Sequence, residues 1–198
     1  HVTTPRTTHL LYLHGFRSSP QSAKARLMAD CVARQHPQVQ WWCPQLPPSP
    51  QEAMEQVSAG IADWPRTAMA VVGSSLGGYY ATWVAQQTGC ASVLLNPATH
   101  PAQSLERHIG EQTAWHDPAE RFFFEPRFID QLRALDVSAL PAPNRQLAGI
   151  AKGDVRCHSV TRPAMAEFAP IPTAYAHASK RNGLASVAIV CPAVTASP

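Results

Sequence analysis

The residues Gly73-Ser74-Ser75-Leu76-Gly77 set a serine midway between two glycines, each two positions away. The G-x-S-x-G pattern marks a sharp strand-to-helix turn that lifts a serine hydroxyl clear of its sheet. A hydroxyl so placed can attack an acyl carbonyl and carry the acyl group as a covalent intermediate. The flanking sequence supplies the required context. Ala70-Val71-Val72 precedes the motif as a short apolar run, and Gly78-Tyr79-Tyr80-Ala81-Thr82-Trp83-Val84-Ala85 follows as a helix former. The strained turn leaves no room for bulk two residues either side of the serine, which explains the glycines. Ser75 is the candidate nucleophile.

Acyl transfer also needs donors for the developing oxyanion. One expected donor is the backbone N–H of Leu76, directly after the serine. The other is expected in His14-Gly15-Phe16, after the first apolar run, with Phe16 N–H as the donor and Gly15 admitting close approach. His14 precedes the serine and sits in that loop, so bracing the loop is its expected role. In enzymes with this turn the chain order is serine, acid, histidine. Asp154 in Lys152-Gly153-Asp154 follows an apolar run and is the candidate acid; Asp130 and Asp136 lie in or beside a helical stretch and fit less well. Only His158 and His177 follow Asp154, and His177 is nominated as the base because it lies far enough along the chain to return to Ser75.

The elements that must hold these groups alternate along the chain. Strands are expected at 9–13, 39–43, 69–72, 91–95 and 147–151, with a late apolar run at 186–190. Between them, apolar residues recur at helical spacing behind Ser18-Ser19-Pro20 as far as His36-Pro37, and over 51–63, 76–88 and 126–135. This alternation predicts an α/β fold, one domain over 1–198, with a mostly parallel sheet covered by helices on both faces. Such sheets place their chemistry beyond the carboxyl ends of the strands. Residues 98–125 have weak periodicity and carry Trp115 and Phe122-Phe123-Phe124; they read as a small inserted cap, or as a surface excursion with its aromatics turned inward.

Composition narrows the partners. Sixteen Lys and Arg against thirteen Asp and Glu give a formal charge of +3, dispersed along the chain, so no nucleic-acid partner is expected. No apolar stretch approaches the ~20 residues needed to span a bilayer, so no membrane partner is expected either. Five cysteines at irregular spacing, without a C-x-x-C pair, point to free thiols rather than a metal or redox site. No metal and no cofactor is expected, and the expected location is cytoplasmic.

Several stretches together resemble the YqiA-type bacterial esterases of the α/β-hydrolase superfamily. They are Tyr12–Phe16, Ser18–Ala25, Pro44–Pro48 and Gly73–Trp83, with weaker matches at Leu95–Ala98 and Gly153-Asp154. The resemblance spans about residues 9–154. It implies hydrolysis of small or medium acyl esters, and of acyl thioesters, with Ser75 as nucleophile and Asp154 as acid and without cofactor. Family members carry Glu-Val directly after the acid and a later glycine-rich segment with the base histidine; here Val155-Arg156-Cys157-His158 follows and residues 155–198 form an atypical tail. The departure fits either a reading-frame change near residue 155 or divergence with His177 displaced. The alternative function is a catalytically impaired hydrolase-fold protein that binds a small ligand.

Overall fold

The computed structural model describes residues 7–135, 137, 146–152 and 154–157, with side chains described as far as residue 137. Strand β1 (His9–Leu13) leads to helix α1 (Ala23–Gln35), then β2 (Gln40–Trp42), α2 (Pro50–Gly60), β3 (Met69–Ser74), α3 (Leu76–Thr88) and β4 (Ala91–Leu95). After β4 come a short helix α4 (Pro101–Leu105), a 3-10 turn at Glu106–His108, and the strands β5 (Gly110–Thr113) and β6 (Arg121–Phe124). Helix α5 (Pro126–Ala134), β7 (Gln146–Lys152) and β8 (Asp154–Cys157) complete the order.

Six strands form one sheet in the order β2-β1-β3-β4-β7-β8; the first five run parallel and β8 returns antiparallel to β7. Alternation along each strand divides the core in two. Leu10, Tyr12, Ala70 and Val72 meet Ala25, Met28 and Val32 of α1 on one face. Leu11, Leu13 and Val71 meet α2, α3 and α5 on the other, through Met54, Val57, Tyr80, Val84, Phe128 and Leu132. Every residue of β3 is buried, as befits a central parallel strand covered on both faces. The expected fold is therefore present.

Two helix boundaries differ from expectation. Helix α1 begins at Ala23, where the Ser22 hydroxyl accepts from the Ala25 N–H at 3.3 Å. The earlier Ser19 hydroxyl is buried and accepts from Gln21 N–H at 3.1 Å, so it caps a turn before the helix rather than the helix itself. Helix α2 stops at Gly60: Ile61 N–H makes the last four-residue bond, to Val57, after which Ala62 N–H and Trp64 N–H reach back only three residues, to Ala59 and Ile61. Among the cysteines, Cys43 and Cys90 are free, whereas Cys31 is disulfide-bonded, against the expectation of free thiols throughout. The late run 186–190 lies outside the described residues.

Candidate active site

Register decides which loops meet. Leu13 pairs with Gly73, and Ser74 with Leu95, so β1, β3 and β4 end side by side at one sheet edge. Ser75 follows directly, with φ 56° and ψ −118°, a conformation that strains any residue other than glycine. Three backbone hydrogen bonds hold it there. Ser75 N–H donates to Leu95 C=O at 3.0 Å, while its own carbonyl accepts from Gly78 N–H at 2.9 Å and Ala98 N–H at 3.0 Å. The glycines are demanded by contact. A Cβ on Gly73 would lie 2.0 Å from the Gly77 carbonyl oxygen, and one on Gly77 2.0 Å from that of Leu13. Ser75 is exposed between buried neighbours, and its hydroxyl makes no capping bond to α3. Among the described residues nothing hydrogen-bonds Oγ, which stands at the positive end of a 13-residue helix.

The loop after β1 closes on this serine. A Cβ on Gly15 would stand 3.2 Å from Ser75 Cβ and 3.7 Å from Oγ. Among the described residues, no backbone carbonyl accepts the N–H of Phe16, and Leu76 N–H is the first of α3, which has no partner within its helix. Ser75, Phe16 and Leu76 are thus brought together.

His14 braces the loop. Its Nε2 accepts from Leu46 N–H at 3.0 Å, which assigns the proton to Nδ1, and Nδ1 donates to the Gly15 carbonyl at 3.0 Å. The imidazole is buried. Burial pushes its pKa below the usual histidine value, the Gly15 bond opposes the shift, and the nearby His116 adds to it. With both nitrogens committed, His14 is not a free base. The depressed pKa also fixes a sign. Below about pH 6.5 the unfolded chain takes up a proton that the folded chain refuses, so stability falls with pH in that window. Urea unfolding should therefore weaken from neutral pH to about pH 5.5, and His14→Gln should flatten that slope; an unchanged slope would place the titration elsewhere.

A cavity of about 370 Å³ opens beside the elbow. Its walls include Gly15, Phe16, Leu46, Leu76, Tyr80 and Phe122; Ser75 borders it through Gly15 and Leu76 and is not itself in the wall. Residues 98–125 supply part of that wall as the antiparallel β5–β6 hairpin. Phe122 and Phe124 turn inward while Trp115 and Phe123 stay exposed, so the segment both flanks the pocket and packs. His116 and Glu120, joined at 2.9 Å, also line the cavity, and sequence reading passed them over. Their only signal was the i,i+4 spacing around Asp117-Pro118, which means little without the hairpin. Cys43 offers no rival nucleophile, since burial pushes its thiol up to about 12.

Register carries β7 three residues past Gly149, the partner of Leu95, so Asp154 lies beyond the carboxyl end of β7 on the edge that carries Ser75. Asp154 opens β8 there and pairs antiparallel with Lys152. Asp130 on α5 is exposed and paired with Arg133 at 2.9 Å. His177, His158 and Asp136 lie outside the described residues. Among the described residues, no group of three potential ligands could hold a metal, and no helix is long and apolar enough to cross a membrane.

Comparison with known proteins agrees with this architecture. A putative hydrolase from Agrobacterium vitis S4 superposes with a TM-score of 0.56 at 20% identity, over 75% of this chain and 70% of its own. The mouse alpha/beta hydrolase domain-containing protein 10 gives 0.53 at 15% identity, over 75% and 69%. The family described as "Uncharacterised protein family (UPF0227)" matches residues 9–178, continuing past residue 154, where the sequence resemblance ends. The strand order, the elbow and this match lead to one assignment: the chain belongs to UPF0227, the YqiA-like family, and has the α/β-hydrolase fold.

Proposed function

We propose that the protein is a serine esterase that cleaves small or medium acyl esters, and acyl thioesters, through an acyl-enzyme on Ser75. The observation that carries this reading is the exposed, left-handed Ser75, set against Gly15 at the carboxyl edge of the sheet. In the first step Ser75 Oγ bonds to the acyl carbon and gives its proton to a base. The amides of Phe16 and Leu76 receive the oxyanion. Collapse of the adduct expels the alcohol or thiol, which takes that proton, and water then releases the acid by the same route. Asp154 would orient the base, and His177 is the proposed base. The family match, which runs through residue 178, supports looking for it there.

A second reading has one observation in its favour. Among the described histidines that line the cavity, His14 has both nitrogens bound and His116 is paired with Glu120. A hydrolase fold without a competent base would bind acyl compounds and turn them over slowly.

Hydrolysis of p-nitrophenyl acetate, butyrate and octanoate separates the two. The esterase reading expects saturable turnover with the short and medium esters, and His177→Ala reducing kcat by about 10²-fold or more. Saturable binding with no turnover above the buffer rate would favour the impaired protein, and full activity in His177→Ala would remove that residue from the mechanism.

A further inference from the structure

Arg17 follows Phe16, the proposed oxyanion donor, and has φ 59°, a left-handed conformation unfavourable for an arginine. Sequence patterning gives no reason for a long side chain there, and asparagine or glycine would hold the turn with less strain. The structure shows what the side chain does. Nε donates to the Thr113 carbonyl at 2.5 Å, and Nη2 to Thr113 Oγ1 at 2.8 Å. The guanidinium lies 4.2 Å over the Trp115 ring, and the Arg17 carbonyl accepts Trp115 N–H at 2.7 Å. One residue therefore ties the loop to the β5–β6 hairpin from both side chain and backbone. Phe16 adds a second tie, its ring packing edge-on at 6.0 Å from Phe122 and 5.0 Å from Phe124 of β6.

These ties sit at the rim rather than in the core. Trp115 remains 71% exposed despite its arginine partner, so the contact buries little apolar surface. What it restricts is movement between two segments that wall the same cavity, one of which carries the Phe16 amide. We infer that Arg17 is a positioning residue: by latching the β1 loop to Thr113 and Trp115 of the hairpin, it holds the Phe16 N–H in register with Ser75. This rests on the serine-esterase reading. An oxyanion donor must lie within a few tenths of an ångström of its station, and a shift of about 1 Å can cost about a hundredfold in rate.

Arg17→Gly isolates the latch, because glycine keeps the left-handed backbone while removing the guanidinium. The expected result is a kcat lower by roughly ten- to a hundredfold with KM within about threefold, since the lost interaction matters mainly in the transition state. Affinity for an alkyl boronic acid, whose adduct with serine places an oxygen in the oxyanion position, should fall by about the same factor as kcat/KM. Arg17→Lys should recover part of both, keeping a cation over Trp115 and one bond to Thr113. Thr113→Val, which removes only the Oγ1 acceptor, should give a smaller fall of about two- to fivefold. It should add nothing in the Arg17→Gly background.

An active wild type with kcat unchanged in Arg17→Gly overturns the inference, as does a kcat loss that boronate affinity does not follow. If Arg17→Gly folds poorly, Thr113→Val decides: unchanged kcat and boronate affinity there also overturn it. A wild type that neither hydrolyses esters nor binds boronate instead sinks the esterase reading, and the latch with it.

Discussion

Ser75→Ala will lower turnover of p-nitrophenyl butyrate by about 10⁴-fold or more and leave the melting temperature nearly unchanged. The first half follows from chemistry: without Oγ no acyl-enzyme forms, and only oxyanion donors and binding remain to help water attack. The second half follows from geometry. The Ser75 hydroxyl makes no capping bond, and alanine suffers the same backbone strain at φ 56°, so the folded state loses little. Stability should stay within about 0.5 kcal/mol of wild type. A catalytic loss accompanied by a large drop in melting temperature would mean that the serine packs the fold instead. A variant retaining a tenth of wild-type turnover would remove Ser75 from the reaction.

The second large effect is structural. Gly77→Ala puts a Cβ 2.0 Å from the Leu13 carbonyl oxygen and 2.6 Å from that of His14. Both obstacles are backbone, so neither can swing aside. Alanine is the better helix former by about 1 kcal/mol, which pulls the other way. The clash wins, because α3 would have to withdraw from β1 and open the close-packed face of the sheet. Urea unfolding should show a loss of at least about 3 kcal/mol, together with loss of esterase activity as the elbow moves. Gly89→Ala is the internal comparison. That glycine ends α3 at φ 73° with nothing within 4 Å of an added Cβ, so only backbone strain of about 1 kcal/mol is expected. If the two variants lose similar stability, the contact between α3 and β1 is looser than described.

The parts of this molecule that could be read from sequence are those fixed by short-range rules. The β3–elbow–α3 unit is one: an apolar run, two glycines at set distances and a helix former leave little choice. Helix α1 shows the limit of such rules, since Ser18-Ser19-Pro20 and Ser22 both satisfy capping preferences, and only the folded chain shows that Ser22 takes the Ala25 N–H while Ser19 takes that of Gln21. The β5–β6 hairpin was not legible as strands. Gly110–Thr113 is polar throughout, and Arg121–Phe124 puts three aromatics in succession where alternation would be diagnostic. It follows that His116, Glu120 and the Arg17 contacts were hidden too, because each depends on that hairpin folding back onto the β1 loop. Asp154 follows an apolar run and a glycine in the sequence, and strand register sets its backbone beyond the carboxyl end of β7, paired with Lys152. The base lacked any local pattern, and His177 falls outside the described residues.

The most direct measurement is covalent capture. Incubating the protein with an alkyl fluorophosphonate and recording its intact mass, followed by peptide mapping, asks whether one activated serine exists and where it is. The account predicts a single adduct per chain, on the peptide containing Gly73–Gly77, and none on Ser75→Ala. An unmodified wild type, or an adduct that persists in Ser75→Ala, would contradict it.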